Sequence, residues 1–514
     1  AAFSNAKSTW NLKSKSDVCT SSLQTAQIVT DNKGNRYYRV MYYDKKGRCV
    51  ETNSTSVDDY FIKTNTYYSF TDKIVKNITK LYRKNLETLE NTVVDSIEYT
   101  SDEEFVDKQY LTFGNDPTEM ISDNQYDGLG RLVESKSNNG NIRDLYEYDL
   151  HGWLTSHQNY DDRIYYMPMF KEKLYYADGP NSKSCYNGNI SAQVYSDADN
   201  YSDDKGYLFG YDGMDRMTSA KFKAGSSLNK NPRVDYSEEV TYNANGSVLT
   251  MRRKGNENRC GFVDDLAFTY SGNRLFKVSD SAFDVSLGES AGFVDGYEFG
   301  VKSGQSGYRS DYDQEYSYDG CGSLTSDKNK GVLNIRYDFN GMPVRVLFEN
   351  GNITEYVYTA DGVKLKTIHR TAVDGIVTYS NNFELTERET LSKDSTVYVG
   401  SFEMNSSKDK MYHFANGYID IEQGHVKAYC YYAKDHLGNV RHVDMANPRT
   451  NRNEIVQVNN YYPFGGIIDE GSRRGADVQN HLYNGKELDR MHGLNLYDYS
   501  ARQYDAAIGQ FTSM

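Results

Sequence analysis

Proline is scarce in this chain, with 7 in 514 residues against an average near 5%. Because proline cannot donate to a strand ladder, its scarcity suits a backbone whose N–H groups mostly enter ladders. Cysteine is thin as well. Cys19, Cys49, Cys185, Cys260, Cys321 and Cys430 lie at long intervals with no C-x-x-C, which excludes a small disulfide scaffold, argues against thiolate metal binding and leaves free thiols as the expectation, with one or two bridges as the alternative. No apolar run approaches the roughly 18–20 residues of a membrane helix, and no basic amphipathic segment suits an anionic membrane surface. Lysine and arginine (58) are outnumbered by aspartate and glutamate (72), so the net charge is −14 and the basic footprint of a nucleic-acid binder is missing.

What is abundant is tyrosine: 47, against 21 phenylalanines and 2 tryptophans. Tyrosine covers a sheet face while keeping its hydroxyl wet or bonded. With hydrophobic residues at only 38%, the composition suits much surface relative to core. It does not suit disorder, which is poor in aromatic and β-branched residues.

One phrase recurs. "YDKKGRCVE" begins at Tyr43, "YDGLGRLVE" at Tyr126, "YDLHGWLTS" at Tyr148, "YDGMDRMTS" at Tyr211, "YDGCGSLTS" at Tyr318 and "YDFNGMPVR" at Tyr337. Looser copies start at Tyr242, Tyr270, Tyr358 and Asp435. The tightest spacings are 19, 21 and 22 residues (Tyr318 to Tyr337, Tyr337 to Tyr358, Tyr126 to Tyr148), and the longer gaps are expected to hold degenerate copies or insertions. A phrase repeated this often is architecture rather than a functional loop.

Each position has a reason. The tyrosine ends an incoming strand, where aromatic cross-strand pairs stabilise a sheet. Asp44, Asp127, Asp149, Asp212, Asp319 and Asp338 can accept a backbone N–H two residues on, closing an Asx-turn. Gly47, Gly130, Gly152, Gly322 and Gly341 fall where hairpin loops need the left-handed conformation. Arg131, like its counterparts, is expected on the wet face. The flanks alternate in polarity at period two, as half-buried strands do. A lone hairpin is not stable in water, so successive hairpins should pair into one long antiparallel sheet. Such a sheet, on the order of 40 strands at typical strand lengths, must twist and curl. A propeller is disfavoured because blades recur every 40–50 residues. The stretch from Lys73 to Val94 leaves open a helix or a pair of strands.

Catalytic constellations do not stand out. The repeated aspartates are explained by turn chemistry, and nothing marks two carboxylates as a glycosidase pair. The histidines, including His151, His157, His413, His436 and His442, occupy no tight ligand spacing such as H-E-x-x-H, so no metal site or cofactor is expected. Acidic turns such as "SDADNYSDDKG" lack the EF-hand frame, and no G-x-S-x-G elbow occurs. Exposed tyrosines on a sheet face leave room for glycan stacking, although packing of the sheet explains them. Pro463 and Gly465–Gly466 in "YYPFGG" mark a tight turn where the ribbon stops and the chain folds inward.

The repeats, together with the C-terminal end, resemble the bacterial Rhs/YD-repeat proteins. "KDHLGNVRHV", "YYPFGGII" (Tyr461–Ile468) and "YNGKELDRMHGLNLYDYSARQYDAAIGQFTSM" (Tyr483–Met514) match the Rhs-associated core motif in order and spacing. Tyr497, Tyr499, Arg502, Tyr504, Asp505, Gly509 and Phe511 reproduce its frame, and the resemblance covers about Gly34 to Met514. It implies an all-β shell: a long antiparallel sheet of hairpins spiralling around a hollow interior, with the core motif folded inward as a plug. It divides the chain into an N-terminal segment (1–33), the repeat shell (34–424) and the core region (425–514). The implied function is non-enzymatic: a secreted or surface-delivered polymorphic-toxin shell enclosing a toxic cargo, with an immunity protein or secretion-system component as further partners. The family's self-cleavage site and toxin would lie beyond Met514; the one Asp-Pro here, Asp116–Pro117, is far upstream. Tyr497, Tyr504 and Phe511 are then expected to be buried, Arg502 and Asp505 to bond the surrounding sheet, and Met514 to point inward. The alternative is an extracellular adhesion or glycan-binding repeat protein without cargo.

Overall fold

The computed structural model describes residues 23–513 apart from 84–87, 164–167, 182, 198–203, 256–261, 283–291, 294–313, 407–409, 449–451 and 469–477. Strands make up 57% of the described residues, well above the usual 20–25% or so, and these residues contain no α-helix. The fold is all-β. Among the described residues thirty-six strands, numbered in chain order, form three antiparallel sheets. The first runs from β1 (Ala26–Thr30) to β19 (Arg274–Asp280) and the second from β20 (Tyr316–Tyr318) to β32 (Arg452–Val458), each strand pairing with the next. The third is small: β33 (Glu487–Asp489), β34 (Leu496–Asp498), β35 (Gln503–Asp505) and β36 (Gln510–Phe511).

The expected single sheet is therefore divided, although Glu315 donates its N–H to the Phe276 carbonyl (3.0 Å) and starts the second sheet where the first ends. The stretch from Lys73 resolves into a strand pair, β5 (Ile74–Arg83) and β6 (Thr88–Tyr99), with Ile78 opposite Val94. Its β-branched residues pack at period two, burying Leu81 and Val93. β1 begins inside the 1–33 segment, and Cys49, Cys185, Cys321 and Cys430 are free thiols, while Cys19, Cys260 and Met514 lie outside the described residues.

The repeated turns explain how the ribbon holds together. Asp127 accepts the N–H groups of Leu129 (2.9 Å) and Arg131 (3.0 Å), and Gly130 N–H closes the turn on the Asp127 carbonyl. Asp44, Asp149, Asp212, Asp319 and Asp338 accept in the same two positions. Gly47, Gly130, Gly152, Gly322 and Gly341 all have φ between +78° and +89°, and Asp215 (φ 61°) stands at that place in the Tyr211 copy.

Arginine at the sixth place is not simply wet. Arg131 donates to Asp127 (2.7 Å), reaches the Asp149 carbonyl of the next turn (3.0 Å) and lies over the Tyr148 ring. Arg48 and Arg216 repeat the arrangement over Tyr68 and Tyr242. The guanidinium is drawn down because the neighbouring turn offers both a π-face and the second lone pair of its turn-closing carbonyl. The tyrosines reach the other way. Tyr126 hydroxyl donates to Val106 O, Tyr148 to Leu132 O, Tyr211 to Ile190 O and Tyr337 to Leu324 O, all in the preceding hairpin. Tyr68, Tyr99 and Tyr176 make the same bond without a following aspartate, so they are the degenerate copies filling the long gaps.

The Tyr–Asp hairpins also carry a register shift next to the tyrosine, at Tyr43, Tyr126, Tyr148, Tyr211, Tyr318 and Tyr337. A bulge bends its strand and raises the local twist, so a bulge per hairpin coils the ribbon. The coil is visible in the pairing of distant residues. Along the rim of the first sheet opposite the repeated turns, Asp58 meets Lys366, Glu90 meets Lys410, Asp116 meets Val426, Glu119 meets Tyr431 and Asn138 meets Asn453. These partners are 308, 320, 310, 312 and 315 residues apart. A nearly constant offset means that the second sheet runs along the first as the next turn of one coil. The offset falls to 264 at Glu172–His436 and 254 at Tyr207–Tyr461, so the coil tightens toward its end. Apolar contacts seal the seam: Leu81, Val93, Phe113 and Ile121 pack with Val399, Phe402, Ile419 and Tyr429.

Two expectations follow. Gly130→Ala would place a Cβ 2.6 Å from the Phe105 ring at φ +78°, whereas at Gly152 (φ +85°) a Cβ meets open space. Gly152→Ala should cost about 1–2 kcal/mol from left-handed strain alone, and Gly130→Ala about 1–3 kcal/mol more from the overlap; equal urea midpoints for the two would contradict this turn packing. The second expectation concerns His436, which meets the buried Glu172 carboxylate at 2.7 Å across the seam. Burial pulls the imidazole's pKa down, but Glu172 and Asp435 outweigh it against Arg441 and raise it above 6.5. Burial likewise pushes Glu172 up, yet His436, Gln193 and His157 bring it below 4.5. The stabilisation is therefore full between about pH 4.5 and 6.5 and is lost as pH rises through the elevated folded pKa of His436. Guanidinium unfolding of wild type and His436→Gln should give a stability gap that is widest in that window and narrows above it; a gap that widened at higher pH would refute the pair's role.

Candidate functional site: the inner C-terminal sheet

The small sheet β33–β36 is about 15 Å wide at the usual strand spacing. Together with the segment from Leu482 that leads into it, it nonetheless touches β17 (Val248–Lys254) of the first sheet and strands from β22 (Val332–Tyr337) to β31 (Val440–Asn447) of the second, a span of roughly 40 Å if flat. Only an outer wall curved around it allows all these contacts. The C-terminal motif thus lies on the concave side of the coil.

Its anchoring is polar to an unusual degree. Tyr356 of β24 (Ile353–Tyr358) donates to Asp489 (2.6 Å). Lys364, opening β25 (Lys364–Ala372), bonds both Glu487 (2.6 Å) and Asp498 (2.7 Å), and Tyr398 of β26 (Thr390–Val399) donates to Glu487 (2.6 Å). Burial would lower the Lys364 pKa, but Glu487, Tyr398 and Asp498 outweigh it and hold the ammonium well above its usual range. On the other side, the fully buried Arg253 pairs with Glu238 (2.7 Å) and Asp264 (2.9 Å) and donates to the carbonyls of Ala506 (2.9 Å) and Ala507 (2.8 Å). Burial pushes Glu238 upward and Asp264 to about 6 despite the guanidinium.

The motif's tyrosines have a common target. Tyr483, Tyr504 and Tyr497 donate to the carbonyls of Pro463, Phe464 and Gly465 in turn (3.2, 2.8 and 3.4 Å). Gly465 has φ +90°, and a Cβ there would sit 2.7 Å from the Tyr483 ring. "YYPFGG" is thus the tight turn on which the core motif closes, with Tyr461 beside Tyr483 in the same cluster.

The expected motif residues divide. Tyr497 and Tyr504 are buried, and Tyr499 packs beside them, donating to Asn484 (2.5 Å). Asp505 is buried and pairs with Lys330 of the surrounding wall (3.1 Å). Gly509 has φ +64° against Phe464. Phe511 and Arg502 depart from expectation. Phe511 is 37% exposed because β36 is the edge of the small sheet, and Arg502 is exposed and stacks on the Phe511 ring (4.0 Å) instead of bonding the wall.

Sequence reasoning missed Arg253, Lys364 and the surroundings of His413. In "TMRRK" the two arginines alternate, so one had to face inward; that signal was present. Glu403, His413 and His481 converge, with Glu403 Oε2 2.8 Å from His413 Nε2 and 3.3 Å from His481 Nε2. Burial would raise the Glu403 carboxyl, but hydrogen bonds to the two imidazoles outweigh it and hold its pKa well below the usual range. These are the residues among those described that could hold a metal ion.

Arg253→Met would strand two buried carboxylates and free the Ala506–Ala507 carbonyls. Breaking a buried ionic group by removing one partner costs on the order of 3–5 kcal/mol. A drop of that size in urea, with early proteolytic trimming after Ala506, is the expected outcome. Arg252→Met, on the opposite face where the half-exposed Arg252 bonds Asp265, should leave the midpoint near wild type; similar losses for both would contradict the anchoring role.

No family model and no curated protein matches this sequence. Solved structures do match. The crystal structure of TcdB2-TccC3-Cdc42 superposes with a TM-score of 0.58 at 13% identity, covering 95% of this chain. The crystal structure of TcdB2-TccC3-TEV gives 0.57 at 13%, and the Photorhabdus luminescens Tc holotoxin pore with the TccC3-D651A mutation gives 0.57 at 14%, each again over 95% of this chain. The chain spans 26% of the length of each of those chains. At such identity the likeness is one of fold: this chain is similar in fold to the shell of Tc toxin complexes, and its large sheets coil without closing into barrels.

Proposed function

We propose that this chain is a non-enzymatic shell segment of a secreted or surface-delivered toxin, whose coil encloses a toxic C-terminal cargo until delivery. The observation that carries the reading is the inner sheet. A chain that runs along the wall for two sheets and then turns inside at Tyr461–Ile467 directs whatever follows toward the interior. The core-motif resemblance and the likeness in fold to toxin-complex shells support it. Among the described residues no helix is long and apolar enough to cross a membrane, and the anchoring groups have structural partners rather than a reacting geometry. The repeat tyrosines use their hydroxyls on neighbouring carbonyls, which favours a wall over a glycan-stacking platform. Sequestration is then the mechanism: a cargo held in the coil cannot reach its targets. An immunity protein or a delivery component is the partner class this reading adds.

The test places one protease-labile reporter after Met514 and, separately, before Ala1. The C-terminal reporter should resist a protease that removes the N-terminal one, and Arg253→Met should abolish the difference. Digestion of both reporters at the same rate in the wild-type chain would sink the reading.

A further inference from the structure

The Glu403, His413 and His481 cluster joins two parts of the molecule that the sequence keeps apart. Glu403 lies on β27 (Phe402–Asn405) and His413 on β28 (Lys410–Phe414) of the wall. The register pairs Glu403 with Met411, so His413, two residues on, shares its face. His481 comes from the inner segment, where it bridges to Glu487 at the start of the small sheet. Both imidazoles aim Nε2 at the same carboxylate oxygen, and their rings stand at 61° with centroids 4.8 Å apart.

From this geometry we infer a divalent metal site of the zinc class that clamps the inner C-terminal segment to the wall. Two imidazole nitrogens and one carboxylate oxygen are a usual zinc donor set, with metal–ligand distances near 2.0–2.2 Å. Ligand atoms at the corners of a tetrahedron of that size lie about 3.3 Å apart. The Glu403–His481 separation is already 3.3 Å, and the Glu403–His413 separation of 2.8 Å needs to open only slightly. All three donor atoms fall within 4.8 Å of one another. The side chains are 20–27% exposed, which gives an entry path and leaves the fourth position to water. The neighbourhood is acidic, since His481 bridges in register to Glu487, which shares the Lys364 ammonium with Asp498. The tyrosines beside His413, Tyr418 at 6.1 Å and Tyr432 packed on it, supply the apolar wall that limits competing solvent. The site serves position rather than chemistry: it fixes where the chain enters the interior.

The test uses the full chain stripped with chelator and titrated calorimetrically with zinc chloride in excess magnesium, with cobalt(II) as a spectroscopic stand-in. About one equivalent of zinc, a rise in melting temperature on binding and the intense visible bands of tetrahedral cobalt are expected. His413→Gln and His481→Gln keep a hydrogen-bond donor toward Glu403 and should fold with wild-type circular dichroism. Each should lose the stoichiometric site and the thermal shift. No binding by the wild-type chain, binding unchanged in the double variant, or an octahedral cobalt spectrum would each overturn the inference.

Discussion

No hairpin in this molecule can bury itself, and the bond between one turn and the next is what makes a structure of them. Tyr148 shows both halves: its hydroxyl reaches back to Leu132 O, while its ring receives Arg131 from the preceding turn. Each turn therefore takes its order from neighbours on both sides, as in repeat proteins whose stability is a sum of nearest-neighbour terms. The rest of the architecture follows from that rim. A bulge beside each tyrosine twists the ribbon, the twist coils it, and the coil brings residues about 310 apart into contact.

The two rims of the first sheet have different work. The rim of repeated turns knits the ribbon lengthwise. The opposite rim, through Asp58, Glu90, Asp116, Glu119 and Asn138, meets the next turn of the coil. This division relieves the problem of a very long sheet, whose faces would otherwise remain half exposed. It also accounts for the low hydrophobic content, because much of the seam is made by hydrogen bonds and ion pairs around a limited apolar strip.

Inside the coil the same preference persists. The small sheet is held by Lys364, Arg253 and tyrosine hydroxyls as much as by apolar packing. Buried ions add little net stability over apolar groups of the same size, but each has a strict partner, so they fix where the inner sheet docks. Three successive carbonyls at Pro463–Gly465 receiving three tyrosines give the same result by geometry. A likeness in fold at 13% identity is understandable on these terms, since turn geometry and hydrogen-bond partners constrain few side chains per repeat.

The sequence by itself determined the local units. Tyr, Asp and Gly at fixed places specify a hairpin turn because an Asx-turn and a positive φ are properties of a few adjacent residues. The period-two flanks specified strands for the same local reason, and "YYPFGG" announced the inward turn. Tertiary structure alone decided the rest. The degenerate copies at Tyr68, Tyr99 and Tyr176 lack the aspartate, and only a carbonyl in the preceding hairpin identifies them. Arg131 looked solvent-facing until the next turn supplied a ring, and Phe511 looked buried until its strand proved to be an edge. His413 and His481 are 68 residues apart in the chain and meet only because the coil brings the inner segment back to β28. Pairings of that kind depend on how far the ribbon curves per hairpin, a sum of many small twists that no single repeat encodes.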